Sequence, residues 1–321
     1  IDTDGTGLAQ LVTPTAGMAY PMASISDDGE RIAFSDSNYA VSAITADGTD
    51  LHELWGDGSI PHVSGDGSTV VFLSNVSLPY NPDCAYWPCE GDTQTGAIDW
   101  DGANLTQLAA PCLGAAYPGG TNLPRVSDDG QVVFYTGNDL ASSSLWAVWR
   151  VNRDCSDLTL LTDLASEPLP HANCWYALAS GSGSHVTYLC QGGEPFGGPN
   201  PDLGLELYTG TGSGTDHRQL SDGVEGDSLQ PDLTPDGSQV VFVSDFDHLG
   251  DAPALQAQLY RVAGDGSDLT RLTHFMDRSA AAPSISDDGT LIVFEADAIW
   301  VVGSDGSGLA SISPGAVSYT H

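Results

Sequence analysis

The sequence predicts an all-β fold, a β-propeller of four-stranded antiparallel blades, on three observations. An Asp-Gly hairpin phrase recurs six times, a second hairpin phrase alternates with it, and no segment keeps helical periodicity over three turns. Four strands per unit, repeated radially, suit a propeller because each sheet can bury its faces only against its neighbours. Residues 1–321 therefore read as a single domain.

The first phrase is a Ser or Thr, a two-residue turn ending in Gly, and an apolar run that closes on Phe or Tyr. Its copies start at Ser26, Ser64, Ser127, Ser180, Thr234 and Ser286 and end at Phe34, Phe72, Phe134, Tyr188, Phe242 and Phe294. Asp-Gly is a strong hairpin signal because the turn needs a positive φ, which glycine adopts without a Cβ clash. Each copy predicts strands a and b. The Asp serves an Asx turn, accepting nearby backbone N–H groups, rather than binding metal. In the fourth copy, Ser180-Gly181-Ser182-Gly183, the Asp is lost.

The second phrase is an apolar strand, another Asp-Gly type turn and a segment ending in Leu-Thr or a relative, as in Leu259 through Asp265-Gly266 to Leu272-Thr273. It predicts strands c and d. The same phrase opens the chain over residues 1–13 and closes it over residues 299–311, so seven c/d hairpins stand against six a/b hairpins. The simplest closure is a seven-bladed ring with one blade split between the termini, residues 1–13 supplying outer strands and residues 316–320 an inner one. The alternative is six blades plus a surplus N-terminal hairpin, free to add to a neighbouring sheet edge.

The phrase S-x-D-G-x-x-[IV]-x-F, followed by a c/d hairpin ending in L-T, resembles the TolB-like, WD-type propeller repeat over residues 1–313. That resemblance implies the fold and leaves function open, since such propellers serve as secreted binding modules, as envelope-complex components and as domains of peptidases. No α/β-hydrolase domain or G-x-S-x-G elbow accompanies it.

Charge narrows the partners. The chain has 8 Lys and Arg residues, all of them Arg, against 43 Asp and Glu, for a net charge of -35. Such a surface repels nucleic acid and anionic lipid and favours cations. No apolar stretch approaches the roughly 20 residues of a membrane span. The 40% apolar content falls in short β-branched runs such as 69–72 and 291–294, which build a core rather than a disordered chain. The start, Ile1-Asp2-Thr3-Asp4, is neither a charged leader nor an initiator methionine, so a processed or truncated chain is expected.

Six cysteines in loop-rich sequence point to disulfides and an oxidising compartment. Cys84 is assigned to Cys89 by proximity, Cys174 to Cys190 because they face each other at the ends of an a/b hairpin, and Cys112 to Cys155 by elimination. A zinc site would want close-set pairs, and Cys84 to Cys89 is C-x4-C with no companion. Sequons at Asn75 and Asn104 fit export and glycosylation. An extracellular or cell-surface location follows, with the periplasm as the alternative.

The most calcium-like segment is 244–251, where Asp245, Asp247 and Asp251 place three carboxylates on one loop. Asp2 to Gly5 resembles the opening of an EF-hand loop without its later ligands. Tyr86 and Trp87 lie inside the Cys84 to Cys89 loop, which would hold them out for a sugar ring or a protein. Trp146 and Trp149 are expected to pack between blades. The eight histidines form no H-x-x-x-H pattern, but His62 and His171 precede strand a in different copies and could approach the channel.

The function expected is a secreted, non-catalytic binding or self-assembly module, assisted by cations such as calcium, with a protein, a glycan or further copies as partners. A metal-dependent polysaccharide lyase or hydrolase at the channel is the first alternative, and a periplasmic envelope adaptor the second.

Overall fold

The computed structural model describes residues 11–12, 22–36, 38–74, 76, 78–79, 94–108, 122–139, 142–162, 173–192, 196, 200, 203–222, 226–250 and 256–312. They form six four-stranded sheets, each ordered a-b-c-d and antiparallel throughout. Blade 1 spans residues 23–55, blade 2 58–107, blade 3 122–160, blade 4 173–219, blade 5 228–271 and blade 6 281–311. Each joins one a/b phrase to the next c/d phrase in the chain, as the repeat predicts.

The turn chemistry explains why the phrase folds this way. The glycine closing each a/b turn has φ between 66° and 73°, the left-handed region that costs other residues strain. Beside it, Asp28 Oδ1 accepts from Ser26 Oγ (2.6 Å) and from the Glu30 backbone N–H (2.9 Å). Asp66, Asp129, Asp236 and Asp288 repeat that geometry. These hydrogen bonds hold the Asp28 carboxyl below its ordinary range, Ser26 contributing most. The Asp of the phrase is thus a turn residue.

The apolar run after each turn fills the space between blades, because alternate residues of one strand face opposite neighbours. Tyr135 and Trp149 of blade 3 pack with Val71 and Leu108 of blade 2, whereas Phe134 and Val148 of blade 3 pack with Val186 and Tyr188 of blade 4. Trp149 sits between blades as expected, and Trp146 is half-buried. Five such cores join blades 1 and 2, 2 and 3, 3 and 4, 4 and 5, and 5 and 6. Among the described residues, no core joins blade 6 to blade 1.

The faces of blades 1 and 6 that no described core joins differ. On blade 1, Phe34 and Ile44 lie on the face turned from blade 2 and are 9% and 1% exposed. On blade 6, Leu291 and Val293 lie on the face turned from blade 5 and are 51% and 40% exposed.

The split blade, expected from residues 1–13 and 316–320, lies outside the described residues except for Leu11 and Val12, so the complete blades described number six. Leu11 nevertheless carries a positional signature. Leu161, Leu220 and Leu272, which directly follow strand d of blades 3, 4 and 5, each approach the c/d turn glycine of the next blade, at Gly214, Gly266 and Gly306. Leu11 Cδ2 approaches Gly48 of blade 1 in the same way, 3.8 Å from where a Cβ would stand. Leu11 therefore holds the position just after strand d of a unit preceding blade 1.

Candidate functional site

The inner strands line a central channel of about 500 Å³, and two rings of residues shape it. Strand a carries a β-bulge in blades 2 to 6, with Ile60, Leu123, Tyr176, Gln230 and Ala282 in left-handed conformation. The extra residue re-aims the side chains beyond it. Two positions on stand His62, Arg125, Leu178, Asp232 and Ser284, joined by Ser24 of blade 1, all on the channel wall.

Parts of this deep ring stitch the blades together. Ser24 Oγ accepts from the Val63 N–H at 3.1 Å, and Asp232 Oδ2 accepts from the Ile285 N–H at 2.9 Å. Burial raises the Asp232 pKa against the opposing pull of these hydrogen bonds and of Arg125. Burial pushes the His62 pKa down to about 3, and the Arg125 charge adds to the push. His62 is therefore neutral at every physiological pH.

Three residues further on, in the turns that follow strand a, a second ring forms the mouth: Asp27, Gly65, Asp128, Gly181, Pro235 and Asp287. Its backbone is chained across blades, with Asp27 N–H donating to Gly65 O (3.0 Å), Asp128 N–H to Gly181 O (2.7 Å) and Gly181 N–H to Pro235 O (2.7 Å). The glycines admit their neighbours' carboxylates, since a Cβ on Gly65 would meet Asp27 Oδ2 at 2.3 Å and one on Gly181 would meet Asp128 Oδ2 at 1.9 Å. Asp128 is pushed up to about 6, first by burial and then by the charges of Asp27, Asp287, Asp129 and Asp66. Sequence reasoning missed this acidic mouth. The available signal is the Asp-Asp-Gly spelling of copies one, three and six, whose first Asp is not needed by the turn.

Asp245 and Asp247 of the calcium-like loop are engaged by groups elsewhere in the protein. Asp245 Oδ1 accepts from the Asp227 N–H at 2.8 Å, while Asp247 Oδ1 pairs with Arg271 at 3.2 Å and accepts from the Gly250 N–H at 3.1 Å. The two carboxylates thus serve different partners, and Asp251 lies outside the described residues. Among those residues, no group of three or more metal-ligating side chains converges.

Cys174 and Cys190 are bonded as expected, facing each other across strands a and b of blade 4 with both side chains buried. Cys155 is also disulfide-bonded. Its expected partner Cys112, together with Cys84, Cys89, Tyr86, Trp87, Asn75 and His171, lies outside the described residues. Asn104 is exposed on the c/d loop of blade 2, where its amide donates to Asp99. Ser184 Oγ stands 3.0 Å from His185 Nδ1, but on an open turn where water is not excluded, a poor setting for a nucleophile.

The fold and channel define a β-propeller of TolB-like architecture. Neither a protein-family profile nor a curated protein sequence matches the chain. Solved structures do. A putative TolB from Agrobacterium tumefaciens superposes with a TM-score of 0.52 at 19% identity, covering 85% of this chain and 88% of that one. The β-propeller domain of the Trilobed protease from Pyrococcus furiosus, described as having an open velcro topology, gives 0.60 at 11% identity, covering 94% and 85%. An oligogalacturonate lyase in complex with manganese gives 0.61 at 12%, covering 89% and 74%. At these identities the likeness is one of fold, and the fold hosts catalytic and non-catalytic proteins alike.

Proposed function

We propose that the chain is an exported, non-catalytic binding and self-assembly module whose docking face is the face of blade 6 turned from blade 5, which carries Leu291 and Val293. The observation that carries this reading is the 40% exposure of Val293, whose counterparts Ala33, Val71, Phe134, Thr187 and Val241 on the other blades are buried. Among the described residues no sheet packs on that face, and an apolar β-sheet face suits a partner sheet. The partner is another protein or a further copy of this chain, and the disulfides support a location outside the cytoplasm.

Charge controls the association. Copies carrying -35 repel one another, and salt or divalent cations relieve that repulsion over a Debye length of about 8 Å at physiological ionic strength. Light scattering coupled to size exclusion, run at low and high salt with calcium or a chelator, measures it. Cation-promoted association that Val293→Asp abolishes is expected. A strictly monomeric wild-type species under all conditions refutes assembly.

A further inference from the structure

A histidine bridges the seam between blades 1 and 2. His52 opens strand d of blade 1, and both of its ring nitrogens meet backbone carbonyls. Nδ1 lies 2.8 Å from Asp50 O, and Nε2 lies 2.7 Å from Trp100 O, across the seam in the c/d turn of blade 2. A carbonyl oxygen only accepts, so each contact is a hydrogen bond only when the nitrogen facing it carries a proton. A neutral imidazole has one such proton. Both bonds together require the imidazolium.

The surroundings favour that charge. The charged groups facing the ring are Asp50, whose carboxylate stands 3.7 Å from Nδ1, and Asp101 of the opposing turn. On the same strand, Glu53 turns toward Gly56. Arg31, from strand b of blade 1, lies 5.3 Å from the centroid of the Trp100 ring and donates to Gly67 O. Burial by itself lowers the His52 pKa, but the two carbonyls and the two carboxylates outweigh it and raise the value.

The other blades supply the comparison. The strand-d position of His52, opposite Ala43 of strand c, is taken in blades 2 to 6 by Thr106, Thr159, Arg218, Thr270 and Ala310. Arg218 spans the seam of blades 4 and 5 as His52 spans that of blades 1 and 2, donating to Asp265 O in the next c/d turn. Arginine keeps its charge at every physiological pH, whereas histidine does not. Among the described residues, blade 1 shares a hydrophobic core with blade 2 alone, so a latch here governs how firmly that blade is seated. We propose that His52 is a proton-operated latch between blades 1 and 2, closed as the imidazolium and opened by loss of the proton to solvent.

Because the folded pKa is raised, the latch is complete below the ordinary histidine value and is lost as pH climbs through the folded one. Nitrogen-15 NMR of the full chain, with the His52 signal identified by its loss in His52→Thr, reads the protonation of the ring. At pH 6 both ring nitrogens should carry protons. Hydrogen-exchange protection factors, which remove the intrinsic pH dependence of exchange, read the seam. Those of residues 52–55 should fall about fivefold between pH 6 and pH 9, the gap between a charged and a neutral hydrogen bond, while those of residues 218–219 stay constant. His52→Arg should hold the protection constant over that range. His52→Thr, which installs the residue type of blades 2, 3 and 5, should show the lower protection throughout. A neutral ring at pH 6, or the same pH-dependent fall in His52→Thr, overturns the proposal.

Discussion

Removing the Cys174–Cys190 disulfide should cost blade 4 more than any single side chain of its a/b hairpin. The bond closes a loop of sequence separation 16, and the chain-entropy relation assigns a loop of that length about 3 kcal/mol. It sits where the turn is weakest. Copies with Asp close the turn with an Oδ1 bond of 2.8–3.0 Å from the backbone N–H, whereas blade 4 uses Ser182 Oγ at 3.3 Å. Both sulfurs lie in the core between blades 3 and 4 beside Phe134, Val148 and Tyr188, so substitution also forfeits packing. The double variant Cys174→Ala and Cys190→Ala is preferable to reduction, which would open the bond at Cys155 as well. Urea unfolding should then show a loss of about 3–5 kcal/mol. Hydrogen exchange should quicken at Val186 and Tyr188 and stay unchanged at Ile292 and Phe294 of blade 6, because blades contact only their neighbours. A loss below about 1 kcal/mol by the same assay would mean that the flanking blades, not the disulfide, hold the hairpin.

Other consequences concern pH and the channel. The Asp128 pKa is raised in the fold, so its contribution to stability is present below about pH 4, the ordinary carboxylate pKa, and is lost as pH climbs through about 6. Asp128→Asn should accordingly raise stability at pH 7.5 by about 1 kcal/mol after allowance for solvent screening and do nothing at pH 3.5; thermal unfolding at both pH values checks this. His62 runs the opposite way: with its pKa lowered to about 3, it withdraws stability as pH falls below 6.5, by up to about 2 kcal/mol at pH 5. His62→Gln should flatten that acid limb in a pH series of urea midpoints. Gly181→Ala should destabilise by about 1–3 kcal/mol because its Cβ invades the Asp128 carboxylate. In a double-mutant cycle Asp128→Gly should recover most of that loss, and additive costs would show that the clash is not the cause.

Local features were legible because local chemistry decides them. Ser26, Asp28 and Gly29 each do within one turn what their spelling announces, and Cys174 faces Cys190 because hairpin register follows from the turn. Spelling misleads where partners are remote. Asp245 and Asp247 are close in sequence and look like one cation site, yet Asp247 is taken by Arg271 and Asp245 by the backbone of Asp227. The sequence places His62 ahead of strand a, whereas it lies within that strand, Gly58–Val63, on the channel wall, and nothing in its sequence neighbourhood shows that Arg125 would stand beside it.

By itself the sequence determined the blade, its four strands, its turn chemistry and the alternation that sends Phe134 one way and Tyr135 the other, all set by period and φ preference within about ten residues. Only the tertiary structure decided which residues meet at the axis. The mouth draws Asp27, Asp128 and Asp287 from three distant turns, and the bulges in strand a rotate His62, Arg125 and Asp232 into one channel. Phe34 is buried and Val293 exposed, though both sit in strand b of their blades. Radial packing makes that distinction, because the environment of a blade face depends on its neighbour and not on its own residues.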